Sequence, residues 1–259
     1  MSALLADRRG IVLGVSTANS VGYHAARGFR ALGAELTFTH RAARGQELSP
    51  LAAELGCARA ELDCRDERAV EQVMNQAGER YGRLDFLVHT LVHVPEGALD
   101  RPVFELSADD FAQAMEVGVR SLLVACKAAL PWLRRSEAPR VVTLLSPGSE
   151  RALARYHVVG IAKGALSAAV RYLALELGPL GVLCNAVNFS IVETDAARRV
   201  IGSELTEKTR SALARRAFTR RATDYADVVN ALAYLASPLC TNVTGEALNV
   251  DGGFTRGYL

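Results

Sequence analysis

Short apolar runs recur along the chain, and longer stretches of helical periodicity separate them. The runs cover residues 11–15, 36–39, 58–62, 84–88, 141–145, 182–187 and 247–250. They are rich in aliphatic and β-branched residues and lack strict alternation, which is how strands covered on both faces read. Helical patterns fill residues 20–32, 46–55, 66–80, 108–135 and 151–177, and the fourth is long enough for two helices. Strand–helix alternation of this kind predicts an α/β fold, a doubly wound parallel sheet with helices on both faces. No linker rich in Gly, Pro or Ser interrupts the pattern, so one domain is expected over residues 1–259.

Composition narrows the function classes. Half of the residues are hydrophobic and 22% are charged, as in an ordinary globular chain rather than a disordered or fibrous one. The net charge of +2 gives no global field toward nucleic acid or a membrane surface. The five cysteines (Cys57, Cys64, Cys126, Cys184, Cys240) are odd in number and form no CxxC pair, so buried free thiols in a reducing, cytoplasmic compartment are expected. The first ten residues do not read as a signal peptide, and no transmembrane helix is expected.

Candidate chemistry gathers at the ends of the apolar runs. The first runs into Gly14-Val15-Ser16-Thr17-Ala18-Asn19-Ser20-Val21-Gly22, and a helical pattern follows. A glycine-containing turn from a strand into a helix offers backbone N–H groups at the positive end of the helix dipole, an arrangement suited to a pyrophosphate. The spacing is not GxGxxG, so an ordinary strand–helix turn fits equally. The second run ends in His40-Arg41, with Arg44 close by. A basic residue at this place meets the 2′-phosphate of NADP, where an acidic one would bind the ribose of NAD. Arg41 therefore predicts NADPH, with His40 and Arg44 as helpers and NADH as the other option. Asp63, at the end of the third run, is positioned to accept from an adenine amino group.

Tyr156 and Lys163 lie seven residues apart in the last long helical pattern, nearly two turns, so both side chains are expected on one face. An ammonium beside a phenol favours the phenolate or a strong phenolic donor, useful in proton or oxyanion chemistry. His89 and His93 fall at a strand end and loop, outside helical ligand spacing, and HTLVH lacks the glutamate of a metalloprotease helix; no metal is expected. Ser146 sits in SPGSE rather than a GxSxG elbow, which argues against a hydrolase.

Together these residues resemble the short-chain dehydrogenases/reductases, and within them the enoyl-acyl-carrier-protein reductases. The matching segments run in order from 14–26 (GVSTANSVGYHAA) through 84–90, 146–166 and 170–187 to 243–254 (VTGEALNVDGGF). The Tyr156–Lys163 spacing favours the enoyl reductase branch, because other members carry their tyrosine where Val159 stands here. The resemblance implies a Rossmann-like fold and an NADPH-dependent reduction of an α,β-unsaturated acyl thioester. Tyr156 would stabilise the enolate, and Lys163 would bind the nicotinamide ribose. It also implies cofactor contacts from Gly14, Ser20, Val21, His40, Arg41, Asp63, Cys64, His89, Val192 and Thr194.

Four positions depart from the family pattern. Ser146, ten residues before Tyr156, stands where many enoyl reductases have a second tyrosine and ketone-reducing relatives have a catalytic serine. A carbonyl reductase using Ser146 and Tyr156 is therefore a second reading. The Gly-Pro turn beside the nicotinamide is replaced within Asn188–Thr194, Val92 replaces a small residue, and Gly118 replaces an asparagine of the proton relay. These changes open a third reading, a family member that binds a ligand or partner without redox chemistry. The resemblance also implies a homotetramer and a helical substrate mouth over residues 190–222. Arg198, Arg199, Lys208, Arg210, Arg215, Arg216, Arg220 and Arg221 lie there, opposed by Glu204 and Glu207. Such a rim would steer an acidic acyl carrier protein, although carboxylate-anchored surface arginines read the same way. His157 is expected at the surface or in oligomer packing.

Overall fold

The computed structural model describes residues 3–257, apart from the side chains of residues 199–201 and 203–206. The apolar runs become seven strands: β1 (Arg9–Leu13), β2 (Glu35–His40), β3 (Ala58–Glu61), β4 (Phe86–His89), β5 (Arg140–Leu145), β6 (Leu183–Phe189) and β7 (Ala247–Val250). All pair in parallel, in the order β3-β2-β1-β4-β5-β6-β7. The fold is the expected Rossmann-like doubly wound sheet.

Successive residues of a strand point to opposite faces, and here both faces are covered. Ile11, Leu13, Leu87 and Val141 pack with Val70, Met74, Leu122 and Leu166 on one side. Those four come from α3 (Glu67–Tyr81), α5 (Ser121–Leu133) and α6 (His157–Leu177). Val12, Phe38, Phe86 and Val142 pack with Phe29, Leu48 and Leu232 on the other. These belong to α1 (Val21–Ala31), α2 (Gly45–Leu55) and α9 (Tyr225–Ala236). α4 (Ala108–Met115) precedes α5, and α7 (Asp195–Ile201) and α8 (Ser203–Arg216) follow β6.

Several boundaries differ from the sequence expectation for physical reasons. β1 ends at Leu13 because Gly14 takes φ +96°, a left-handed turn that glycine tolerates, and the chain leaves the sheet there. The helix expected over residues 151–177 begins at His157, since Arg155 adopts φ +55° and Tyr156 is the N-cap rather than a helical residue. Residues 108–135 divide into α4 and α5 around a π turn, Glu116–Arg120. The stretch His157–Leu180 reaches the length and mean hydropathy (1.5) of a spanning segment, although it is not uncharged, carrying Lys163, Arg171 and Glu176. It is a core helix, and its buried side carries Leu166, Val170 and Leu173 onto the sheet.

Candidate active site

Strand order reverses between β1 and β4, so the crevice beyond their C-terminal ends is the switch point where ligands bind in such sheets. A cavity of about 440 Å³ opens there. Its floor is the glycine turn after β1. Ser20 caps α1 by accepting from Tyr23 N at 3.2 Å, which leaves the first-turn amides of Val21 and Gly22 without an intrahelical acceptor. A Cβ on Gly22 would stand 2.8 Å from Thr90 Oγ1 and 3.1 Å from Gly14 O, so glycine lets the helix approach the strand closely. Unclaimed amides over a cleft of this size suit a dinucleotide pyrophosphate.

Three side chains converge on the opposite wall. Ser146 follows β5, Tyr156 caps α6, and their hydroxyl oxygens lie 3.1 Å apart. The Tyr156 ring lies against Gly148, where a Cβ would be 2.6 Å from the ring, and this contact and the Ser146 bond hold Tyr156 off the helix. Burial pushes the Tyr156 phenol up, partly offset by the Ser146 hydrogen bond. Of the two forms expected, the phenolate is thereby disfavoured and the phenolic donor is the one left, because desolvation is the largest cause. Lys163, on α6, is itself buried and donates to Leu144 O at 2.7 Å; desolvation lowers its ammonium to about 8. Three of its N–H donors are available to acceptors and only one serves Leu144, so a ribose diol is a fitting partner.

The walls gather Gly14, Ser20, Val21, Ser146, Tyr156, Lys163, Val192 and Thr194, all expected site residues. His89 is not among them. It ends β4 fully buried, with Nδ1 2.9 Å from Thr143 Oγ1 and Nε2 2.8 Å from Ser121 Oγ. Its side chain, expected beside the cofactor, is instead buried between Thr143 of the neighbouring β5 and Ser121 of α5. Burial first, and the Lys163 charge second, push His89 down to about 3, so it is neutral. Ser121 Oγ also donates to Val117 O at 2.6 Å and so ties His89 to the π turn that contains Gly118. His93 bonds Gln113 instead, and the two histidines serve separate networks.

The adenine-side residues lie outside the cavity. His40 is buried, its ring nitrogens 3.0 Å from Arg41 O and 3.0 Å from Arg59 Nη1. Arg41 is exposed at the end of β2, and Arg44 pairs with Glu47 at 3.0 Å. The Asp63 carboxylate is gripped by Arg65 at 2.5 Å, which with a smaller Arg41 contribution holds it at about 2. Cys64 is buried, and desolvation raises its thiol to about 11. His157, expected at the surface or in oligomer packing, is half-buried, and its Nε2 lies 3.0 Å from Arg101 O of the segment between β4 and α4.

The segment after β6 holds side chains that sequence reading missed. Asp195, Glu193 and Tyr225 bond to Thr17 and Asn19 of the glycine turn. No spacing rule links residues so distant in the chain. Glu193 also receives Arg198 at 2.7 Å and Arg210 at 3.4 Å, while Arg221 is bidentate to Asp227 at 2.6 Å. These arginines are carboxylate-anchored, whereas Arg215, Arg216 and Arg220 are exposed. Arg199 and Glu204 lie outside the described side chains.

Comparison with known proteins agrees with this geometry. The family model described as enoyl-(acyl carrier protein) reductase matches residues 14–255. An NADH enoyl-[acyl-carrier-protein] reductase of Rhizobium meliloti is 33% identical over 98% of this chain and 94% of that protein. An NADPH enzyme of the same name from Staphylococcus aureus is 32% identical over 96% of this chain and 97% of its own. The crystal structure of the Anaplasma phagocytophilum reductase with NAD superposes with a TM-score of 0.93 at 27% identity, covering 100% of this chain and 98% of that one. The Bacillus cereus enzyme with NADP+ gives 0.93 at 27%, covering 99% of each chain. The chain belongs to the enoyl-(acyl carrier protein) reductase family of the short-chain dehydrogenases/reductases, and with it to the NAD(P)H-dependent oxidoreductases.

Proposed function

We propose that the chain reduces an α,β-unsaturated acyl thioester, with NADPH as the preferred cofactor and NADH as the alternative. The observation that carries this reading is the Tyr156–Ser146 hydroxyl pair on the same cavity as Lys163 and the glycine turn. The nicotinamide, when bound, supplies the hydride that goes to Cβ. Tyr156, its phenol pushed further up by burial, donates a hydrogen bond to the thioester oxygen as it becomes an enolate, and a proton from solvent then reaches Cα to complete the reduction. A donor already in place when charge develops lowers the barrier; losing one such donor costs about 2.7–4 kcal/mol. Lys163 holds the nicotinamide ribose, and Val192 and Thr194 flank the nicotinamide and pyrophosphate. Leu153, Ile191, Leu213 and Phe254 give the acyl group an apolar wall.

Arg41 supports NADPH, since it is the exposed cation at the end of β2 where the 2′-phosphate would lie. Exposed Arg215, Arg216 and Arg220 support an acidic acyl carrier protein at the mouth formed by residues 190–222. Exposed Leu123, Ile161, Tyr172 and Leu175 support a homotetramer packed through α5 and α6. Ketone reduction is a second reading, favoured by the direct Ser146–Tyr156 hydrogen bond.

The test is NADPH oxidation with crotonyl and acetoacetyl thioesters offered separately, alongside direct NADPH binding. Turnover of the crotonyl substrate alone is expected. Turnover of the ketone alone would replace enoyl with carbonyl reduction, and absence of cofactor binding would refute both. Arg41→Ala is expected to weaken NADPH more than NADH; equal loss would remove Arg41 from the specificity argument.

A further inference from the structure

Asp195 opens α7, and its carboxylate reaches across the cleft to the glycine turn. Oδ2 accepts from Thr17 Oγ1 at 2.7 Å, and Oδ1 accepts from Asn19 Nδ2 at 3.3 Å. The Asn19 amide also donates to Glu193 O at 3.0 Å, and Tyr225 Oη lies 2.8 Å from Asn19 Oδ1, so the turn's side chains are held from one side. The Glu193 carboxylate faces away, toward Arg198 and Arg210. Asp195 shares the cavity wall with Ser20 and Val21, whose helix start is built for an anion. A protein carboxylate thus already engages polar donors beside the pyrophosphate position.

We infer that Asp195 is a specificity-determining residue that sets cofactor affinity, its carboxylate competing with the dinucleotide pyrophosphate at the glycine turn. Two anions in one partly desolvated cleft repel, and Thr17 Oγ1 and Asn19 Nδ2 hold the Asp195 carboxylate on the same cavity as the Ser20–Gly22 helix start. Cofactor entry therefore weakens the bridge from Asp195 to the turn. The turn and the helix after β6 respond together, because this bridge joins them. The inference rests on the reading that the cleft binds a nicotinamide dinucleotide.

The test compares NADH and inorganic pyrophosphate binding, by calorimetry, in the wild type, Asp195→Asn and Asp195→Ser. Asparagine keeps an acceptor for Thr17 and removes the charge; serine is a second neutral replacement should the first perturb folding. Both variants are expected to bind both probes at least about tenfold more tightly at low salt, with the advantage shrinking as ionic strength rises toward about 1 M. NADH bound with equal or lower affinity by the variants overturns this inference alone. A chain that binds neither NADPH nor NADH in any of its forms overturns it together with the cofactor reading. A gain that does not depend on salt assigns the effect to shape rather than charge and also overturns it.

Discussion

The hydroxyls of Ser146 and Tyr156 meet at 3.1 Å, one directly after β5 and the other at the cap of α6. Each positions the other, and both open on the cavity. On the proposed enoyl reduction, Tyr156 would be the oxyanion donor and Ser146 would hold it. Tyr156→Phe is then expected to lower kcat by about 10²–10³, while the cofactor dissociation constant stays unchanged. Ser146→Ala removes one supporting hydrogen bond, about 0.5–1.5 kcal/mol, and is expected to lower kcat roughly two- to tenfold. Steady-state kinetics with crotonyl thioester checks both. A Ser146→Ala loss as large as that of Tyr156→Phe would make Ser146 an equal donor, as carbonyl reduction requires.

Gly148 controls where that tyrosine stands. A methyl there would meet the Tyr156 ring carbons Cδ1 and Cε1 at 2.6 Å, and the ring, not the helix, is what can move. Gly148→Ala is expected to cost about 1–3 kcal/mol of stability by overpacking. It is also expected to reduce kcat at least about tenfold, because the hydroxyl leaves its bond with Ser146. Thermal unfolding and kinetics measured on one preparation separate the two effects. Unchanged kcat would show that Tyr156 need not hold this position.

Burial sets Lys163 at about 8, and only its protonated form would carry the charge that the proposed ribose contact uses. NADPH affinity is therefore expected to fall as pH rises through about 8. Stability moves in the opposite sense. The unfolded lysine, at about 10.4, holds its proton more tightly than the folded one, so between about 8 and 10.4 stability rises with pH. A binding profile from pH 6 to 10 tests the first statement. Lys163→Met is expected to bind weakly throughout and to lack the limb near 8.

His89 is neutral in the fold, held at about 3, whereas an unfolded histidine titrates near 6.5. Between those values the unfolded chain binds the additional proton, so stability is lost as pH falls from about 6.5 toward 3. At pH 5 the loss from this residue amounts to about 2 kcal/mol. His89→Gln is expected to lose about 0.5–1.5 kcal/mol at pH 7 through weaker bonding to Thr143 and Ser121. It should nevertheless show a shallower fall in melting temperature between pH 7 and pH 5. An equal fall in both proteins would exclude His89 as the acid-sensitive group.

The sequence alone determined the sheet and its glycine turn, because both depend on local signals. Runs such as 141–145 are apolar at every position, and only a strand covered on both faces makes use of that. Gly14 and Ser20 were legible in the same way, since a strand–turn–helix unit sets their direction, whereas Tyr156 stands before the helix whose spacing linked it to Lys163 and was picked out by resemblance. What needed the tertiary structure was whatever depends on partners far apart in the chain. His89 reads as a strand-end residue on the cofactor side, and only the packing of β4 against β5 and α5 buries its ring between Thr143 and Ser121. The Tyr156 phenol is raised rather than lowered because desolvation, a property of the folded interior, outweighs the Ser146 hydrogen bond. Asp195 meets Thr17 across a sequence separation of 178 residues, and no local pattern encodes such a contact. Local periodicity specifies elements; burial and long-range pairing, which exist only once those elements pack, decide protonation, orientation and the side chains that share the cleft.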